Sequence, residues 1–308
     1  MSSESRANIA ASVRARLLRL AQESGEDYQR VLGRYGIERF LYRLGNSSYR
    51  DRFALKGATL FTLWTGQTHR PTKDLDLLGR GSSAIDEVEA VMREICGIQD
   101  DDGIAFDAKT ITGTRIKEDD EYDGVRVRFN AHLAGARIPM QVDIGFGDAV
   151  FPEPELATFP VLLPMVAPQI RAYPRESLIA EKLHAMVELD IRNSRMKDFY
   201  DIWYMARIWA FEMPLLRRAI VLVFERRGLA LPDGTPVALS ADFLNDPQKK
   251  QQWNAFISRL NNADAHPPLD EVGALLRAFL LPCLHAELPA ETKGRRWLPG
   301  AEWTDAAG

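Results

Sequence analysis

The sequence predicts an α+β protein, with a mixed β-sheet core and flanking helices followed by a helical C-terminal domain. Three observations predict it. Two helix-length apolar patterns precede a central stretch in which apolar and polar residues alternate. The middle of the chain reads helix, strand, helix (84–96), strands, which suits a small mixed sheet with helices packed against it. After a proline-rich passage, every periodic segment has helical spacing.

Along the chain, residues 5–23 and 26–44 place Val13, Leu17 and Leu18, then Tyr28, Leu32, Tyr35 and Phe40, at roughly helical intervals. Gly45-Asn46-Ser47-Ser48 punctuates them. FALKGATLFTLW then reads as an apolar entry, a tight glycine and a helix-like run. DLDLLG alternates as a short strand, and further alternation follows around 105–111, at 125–129 and in IPMQVDIGF. Six prolines (152, 154, 160, 164, 168, 174) suit an extended connection. We place the domain boundary within it, giving 1–165 (N-terminal helices and sheet core) and 166–308 (helical domain). Helices are expected at 176–189, 196–210, 213–227, 249–261 and 268–281, whereas the tail from Glu291 shows no periodicity.

Composition narrows the function classes. Hydrophobic residues at 46% and charged residues at 27% are ordinary for a soluble globular chain. The most apolar stretch, 274–284, is short and carries Arg277 and Pro282, so no membrane span is expected. The first twenty residues spread arginines without an apolar core, unlike a secretory signal. Cys96 and Cys283 are the only cysteines, which provides no disulfide framework or metal–thiolate cluster and points to a cytoplasmic location. The net charge of −4 excludes a uniformly basic nucleic-acid binder. Residues 1–50 nonetheless hold nine arginines against five acids, a local balance of +4, which serves either a phosphate backbone or a plain solvated helical face.

The chemistry concentrates in carboxylates. Asp74 and Asp76 lie two apart on an expected strand and therefore leave the same face. Adjacent carboxylates repel unless positive charge sits between them, and a hard divalent cation such as Mg²⁺ is the usual remedy. Asp143 lies on another alternating strand, and if the two strands are neighbours the three acids form one cluster able to hold two ions. Asp143 could then also accept a proton from an attacking hydroxyl. Gly57 lets backbone N–H groups approach a phosphate, with Lys56 supplying charge and Thr59 offering a hydroxyl; a simple turn before a core helix is the alternative. Lys182 sits on or beside an apolar helical stripe, where a phosphate or a carboxylate would satisfy it, or where it snorkels past the core edge. Asp198 and Asp201, three apart, share a helix face; they either pair with Lys182 or compensate a helix dipole. No Walker-type or Rossmann-type glycine motif is present.

Five ordered segments, ERFLYRLGNSSYRDRFALKGATLF, HRPTKDLDLLG, IPMQVDIGFG, ESLIAEKLHAMVEL and RMKDFYDIWYM, resemble the AbiEii/AbiGii family of bacterial toxins in the DNA polymerase β-like nucleotidyltransferase superfamily. The resemblance spans about residues 38–205, and Trp297 and Trp303 suit the family's usual ending. It implies a nucleotidyltransferase-like core facing a helical region across a cleft. It also implies metal binding by Asp74, Asp76 and Asp143 and a nucleotide loop at Gly57-Ala58-Thr59. The family's essential lysine falls on Lys182 and its following aspartate on Asp198, with Asp201 in the same motif. The chain departs from the family at Ala58, where a second glycine is usual. The resemblance further implies an NTP substrate, Mg²⁺ as two ions with Mn²⁺ as the substitute, an RNA acceptor at the tRNA 3′ end, and inhibition of translation. A cognate antitoxin, often a winged-helix regulator, is the implied partner. Arg70, Lys73, Arg175, Arg192, Arg195 and Lys197 are candidate RNA or triphosphate contacts. Nucleotidyl transfer to a protein or small molecule, and a catalytically silent nucleotide-binding module, stand as the alternatives.

Overall fold

A computed structural model of the chain describes residues 3–70, 72, 74–116, 124–260, 266–284 and 294–305. They fall into two compact units: Met1–Asp148 with Pro154–Tyr173, and Ala149–Glu153 with Pro174–Gly308. Among the described residues, no helix is long and apolar enough to cross a membrane.

Unit 1 opens with α1 (Ser3–Ser24) and α2 (Tyr28–Gly45), separated by Asp27, whose carboxylate accepts from the Arg30 N–H and caps α2. Then come β1 (Phe53–Lys56), α3 (Thr59–Thr65), β2 (Asp74–Gly79), α4 (Ile85–Gly97), β3 (Ala105–Ile116), β4 (Gly124–Leu133), β5 (Ala136–Phe146), β6 (Glu155–Thr158) and β7 (Gln169–Ala172). The seven strands form one sheet in the order β3-β4-β5-β2-β1-β7-β6. The β2/β5 and β1/β7 pairs are parallel and the other pairs antiparallel, so the sheet is mixed, as expected. Alternation decides which face is buried. Val125, Val127, Phe129 and Ala131 on β4, with Ile138, Met140, Val142 and Ile144 on β5, lie on one side in the core. The residues between them form the polar side.

The proline-rich passage, read as an extended connection, contributes β6 and β7. Its six prolines all lie outside both strands, so no ladder hydrogen bond is lost to them. Proline clusters therefore mark strand ends here as well as a connection.

Two of the nine N-terminal arginines are not on the surface. Arg39 and Arg43, both almost fully buried, converge on buried Asp102: Arg39 Nε donates to Oδ2 at 2.7 Å, while Arg43 Nη1 and Nη2 donate to Oδ2 and Oδ1 at 2.6 and 3.0 Å. This network ties α2 to the loop before β3, so the local charge excess facing solvent is smaller than the count suggests.

Glu38, beside that network, is 1% exposed. Its Oε2 accepts from the Leu162 N–H at 2.7 Å, whereas Oε1 has no hydrogen-bond partner and lies 3.8 Å from Arg39 Nη1. Burial raises its pKa from 4.5 to about 7, against the opposing pull of the Leu162 N–H and Arg39. A raised folded-state pKa stabilises below the unfolded value and loses that contribution as pH climbs through the folded one. The protein is therefore expected to lose roughly 3 kcal/mol of stability between pH 4.5 and 7 on account of this carboxyl. Glu38→Gln should flatten that slope in urea titrations at pH 5 and pH 8, and equal slopes for the two proteins would refute the assignment.

Unit 2 contains α5 (Arg175–Leu189), α6 (Met196–Ile208), β8 (Phe211–Glu212), α7 (Met213–Arg226), α8 (Ala241–Asn245), α9 (Pro247–Ile257) and α10 (Leu269–Leu284), then β9 (Arg295–Trp297) and β10 (Trp303–Asp305). The helix expected to run to 261 ends at Ile257, and residue 261 lies outside the described residues. The tail, without periodicity in sequence, forms a small sheet in the order β10-β9-β8. Trp297 and Trp303 are buried in it against Phe279 of α10, at ring-centroid distances of 4.9 and 5.7 Å. Strands of three residues are too short for alternation to reveal.

Candidate active site

The polar face of the unit 1 sheet carries one row of charged residues on four adjacent strands. Lys56 on β1 is the register partner of Asp76 on β2, Asp76 of Asp143 on β5, and Asp143 of Arg126 on β4. Neighbouring strands lie about 4.8 Å apart and register partners point to the same side. The row therefore reads cation, carboxylate, carboxylate, cation. Asp74 belongs to the next row, opposite Gln141, on the same face. All three aspartates are half-buried, between leucines, valine and isoleucine that anchor the opposite face.

Gly57 follows β1 immediately, with φ of +73°. A Cβ built there would fall inside the Asp76 carboxylate, only 2.6 Å from its Cγ. Glycine is thus required twice, for the left-handed backbone and for the close approach of Asp76. The sequence does not reveal this second role. Ala58, where the resemblance suggested a second glycine, has φ of −67° and needs no such freedom. Thr59 begins α3; its Oγ1 is buried and has no hydrogen-bond partner. It lines a cavity of about 170 Å³ within unit 1, together with Glu38, Thr62, Thr72 and Phe159.

Two cations are more engaged than their sequence suggests. Lys56 Nζ donates to Asp148 Oδ2 at 2.6 Å, and Tyr173 Oη donates to the same oxygen at 3.3 Å. Asp148 is nearly inaccessible, so Lys56 offsets a buried carboxylate as well as standing beside Asp76. Arg126 grips Asp143 through both oxygens, Nε to Oδ1 at 2.8 Å and Nη2 to Oδ2 at 2.6 Å, in a bidentate fork. Sequence reasoning missed both Asp148 and Arg126. Arg126 was findable, since it occupies a polar position of the alternating β4 pattern. Asp148 follows the last strand of its motif, where no periodicity points.

Whether this set suits a metal can be judged from the donors themselves. Three carboxylates on one face in adjacent rows are the hard oxygen donors that Mg²⁺ or Mn²⁺ accepts, and the bare Cα of Gly57 makes the space that the Asp76 carboxylate itself fills. The rotamers are not gathered as in a preformed cage. Asp143 is held by Arg126, and among the described residues no three acidic, histidine or cysteine side chains are grouped to hold an ion.

In unit 2, Lys182 on α5 is 8% exposed and meets two fully buried carboxylates of α6, Asp198 Oδ1 at 2.7 Å and Asp201 Oδ2 at 2.8 Å. Of the partners open to it from the sequence, the structure supplies carboxylates. Arg195 Nε donates to the other Asp198 oxygen at 2.7 Å. Burial alone would raise the Asp198 pKa; Lys182 and Arg195 outweigh it and hold the group below its ordinary value.

Of the remaining candidate contacts, Arg192 and Lys197 are exposed, Arg175 stacks over Trp209 at 4.5 Å, and Arg195 is spent on Asp198. Lys73 lies outside the described residues.

Comparison with known proteins agrees with this architecture. The profile of the nucleotidyl transferase AbiEii toxin family, a type IV toxin–antitoxin system, matches residues 39–275. The MenT4 nucleotidyltransferase toxin of Mycobacterium tuberculosis has a similar fold, with a TM-score of 0.58 and 20% identity over 91% of each chain. Two Helicobacter pylori structures resemble it more loosely. JHP933 has a TM-score of 0.44 and 16% identity over 77% of this chain and 84% of its own. A nucleotidyltransferase described as putative has a TM-score of 0.45 and 18% identity over 81% and 92%. No curated protein matches the chain in sequence. Because the matched span covers most of its length, from the end of α2 to α10, the chain belongs to the AbiEii nucleotidyltransferase toxin family.

Proposed function

We propose that this toxin transfers a nucleoside monophosphate from an NTP to an RNA 3′ hydroxyl, with the tRNA 3′ end as acceptor and arrested translation as the consequence. The carrying observation is the placement of Asp74, Asp76 and Asp143 on one sheet face, with Asp76 against Gly57. In this reading the acceptor oxygen attacks the α-phosphorus, the bond to the bridging oxygen of the β-phosphate breaks, and pyrophosphate leaves. Asp74, Asp76 and Asp143 would hold Mg²⁺, which when bound neutralises triphosphate charge and acidifies the attacking hydroxyl. Asp143 takes the hydroxyl proton as it leaves the Arg126 fork, and Arg126 retains the compensating charge. Gly57 admits the Asp76 carboxylate against the loop, with Lys56, Ala58 and Thr59 forming the rest of the nucleotide loop. Lys182, Asp198 and Asp201 enter the proposal as a preorganised charged cluster in unit 2, Lys182 and Asp198 being needed for transfer and Lys182 and Asp201 for nucleotide binding. Catalysis of this kind rests on positioning and charge stabilisation. We further propose a cytoplasmic site of action and control by a cognate antitoxin of the winged-helix type.

The test is incubation with each labelled NTP and Mg²⁺, in parallel with purified tRNA, total RNA and a protein extract, followed by sizing of the products. Label entering tRNA supports the proposal. Label entering only protein or small molecules transfers the chemistry to another acceptor, and binding of NTP without turnover in any pool identifies a silent module.

Gly57→Ala is expected to reduce transfer by at least about 100-fold and to cost roughly 1–3 kcal/mol of stability, because its methyl must displace the Asp76 carboxylate at a strained φ. A steady-state rate assay with a denaturant titration reads both effects. A wild-type rate would show that the loop does not govern Asp76.

A further inference from the structure

We propose that the acceptor strand runs along the open polar face of β4 and β5, its backbone phosphates held by Arg128 and Arg137 and its 3′ end delivered to the Asp76–Asp143 row. The inference rests on the function proposed above and adds where the acceptor binds and which residues hold it.

Alternation puts Arg126, Arg128, Asn130 and His132 of β4 on the same face as Arg137, Pro139, Gln141 and Asp143 of β5. Arg128, His132, Arg137 and Pro139 are exposed, as are Thr112 and Thr114 on the neighbouring edge strand β3. The face is therefore polar, accessible and continuous with the aspartate row.

The two arginines are held in an unusual way for surface cations. Arg128 Nε donates to Gln141 Oε1 at 3.0 Å, and Arg137 Nε donates to Asn130 Oδ1 at 2.9 Å. Both partners are neutral amides on the adjacent strand. Among the described residues, neither guanidinium has a carboxylate within ion-pair distance, unlike Arg126, which Asp143 neutralises. An amide orders the guanidinium plane while leaving its charge uncompensated and its outer N–H groups available, which suits a phosphate oxygen. The one acid of β3 on this face, Asp107, is half-buried, and its Oδ1 accepts from the Lys109 N–H. The Gln141 amide that holds Arg128 also reaches Asp143 Oδ2 at 3.5 Å, so the first arginine is linked to the aspartate row through one side chain.

Spacing gives the track a direction. Arg128 lies one row from Asp143, and Arg137, six residues before Asp143 on β5, lies three rows away. At about 3.4 Å per residue these separations are about 7 and 20 Å. Stacked nucleotides advance about 3.4 Å each along a strand, so the track covers about six nucleotides. A dinucleotide acceptor cannot reach Arg137.

The experiment compares wild type, Arg128→Gln/Arg137→Gln and Arg128→Lys/Arg137→Lys. One arm measures binding of a fluorescent dodecanucleotide RNA without NTP, at several salt concentrations. The other measures kcat and KM for transfer to that RNA and to a dinucleotide. The glutamine pair should weaken dodecanucleotide binding about tenfold and reduce the slope of log K against log salt by about 1.4, from 0.7 per single-strand phosphate contact. KM for the long acceptor should rise correspondingly with kcat little changed, and the lysine pair should recover much of the loss. Glutamine variants that bind the long RNA with wild-type affinity and salt slope overturn the track, whatever the transfer assay shows. Loss of binding in them, while wild type transfers to no RNA, leaves the track standing and removes the RNA-acceptor reading instead.

Discussion

Asp76→Ala is expected to lower the rate of nucleotidyl transfer by about 10³-fold or more, a barrier increase of roughly 4 kcal/mol, while the protein stays folded. The large kinetic effect follows from position. Asp76 is the residue that Gly57 approaches and lies in the same register row as Asp143 on the neighbouring parallel strand. The small structural effect has an equally local cause. The side chain is half-buried on the polar face, whereas β2 is held by its ladders to β1 and β5 and by buried Leu75, Leu77 and Leu78. Removing one of two adjacent like charges also relieves repulsion. Single-turnover assays with saturating NTP, run beside thermal unfolding, separate the two effects. Asp76→Asn, which keeps the shape and removes the charge, should match Asp76→Ala in rate. A variant retaining more than a tenth of wild-type transfer would remove Asp76 from the proposed chemistry.

The second large effect concerns stability. Lys182→Met should destabilise the protein by about 3–5 kcal/mol, because it strands the carboxylates of Asp198 and Asp201, both fully inaccessible, without the ammonium that lies 2.7 and 2.8 Å from them. Arg195, attached to the opposite oxygen of Asp198, is partly exposed and compensates only in part. Combining Lys182→Met with Asp198→Asn and Asp201→Asn removes all three charges and should restore most of the loss. Urea unfolding of the single and triple variants is the measurement. Should Lys182→Met unfold at the wild-type midpoint, the cluster would not be the internal support that its geometry indicates. The triple variant also tests the cluster as a unit. If it regains stability but not transfer, the three charges together have a role in the reaction beyond holding unit 2 together.

Local periodicity carried much of this architecture into the sequence. Alternation in IPMQVDIGF and around 125–129 fixes which side of β4 and β5 is buried, because a strand with one buried face cannot shift by a residue without exposing Val142 and Ile144. The two-residue spacing of Asp74 and Asp76 puts both on one face for the same reason. Glycine between an apolar strand and a helical run was legible at Gly57 because few other residues accept a positive φ. The helical region was legible in the spacing after the proline-rich passage, and a pairing of Lys182 with Asp198 and Asp201 stood as one of two readings; the resemblance added the family.

Other features depended on pairing between distant segments, which no local pattern encodes. That β2 lies beside β5 in the register that sets Asp76 opposite Asp143, and β4 beyond it so that Arg126 closes on Asp143, is decided by the sheet order. The same holds for Lys56 with Asp148, ninety-two residues apart, and for Arg39 and Arg43, whose charge appears solvent-facing in a count and is buried on Asp102. The strands within the proline-rich passage and the tail are too short to show a period, and they form because β1 and β8 offer free edges to pair with. The sequence alone determined the chemical inventory and the face on which each residue stands. Tertiary structure alone decided which charges neutralise one another and which remain available, because Coulombic pairing depends on distances that only the folded chain sets.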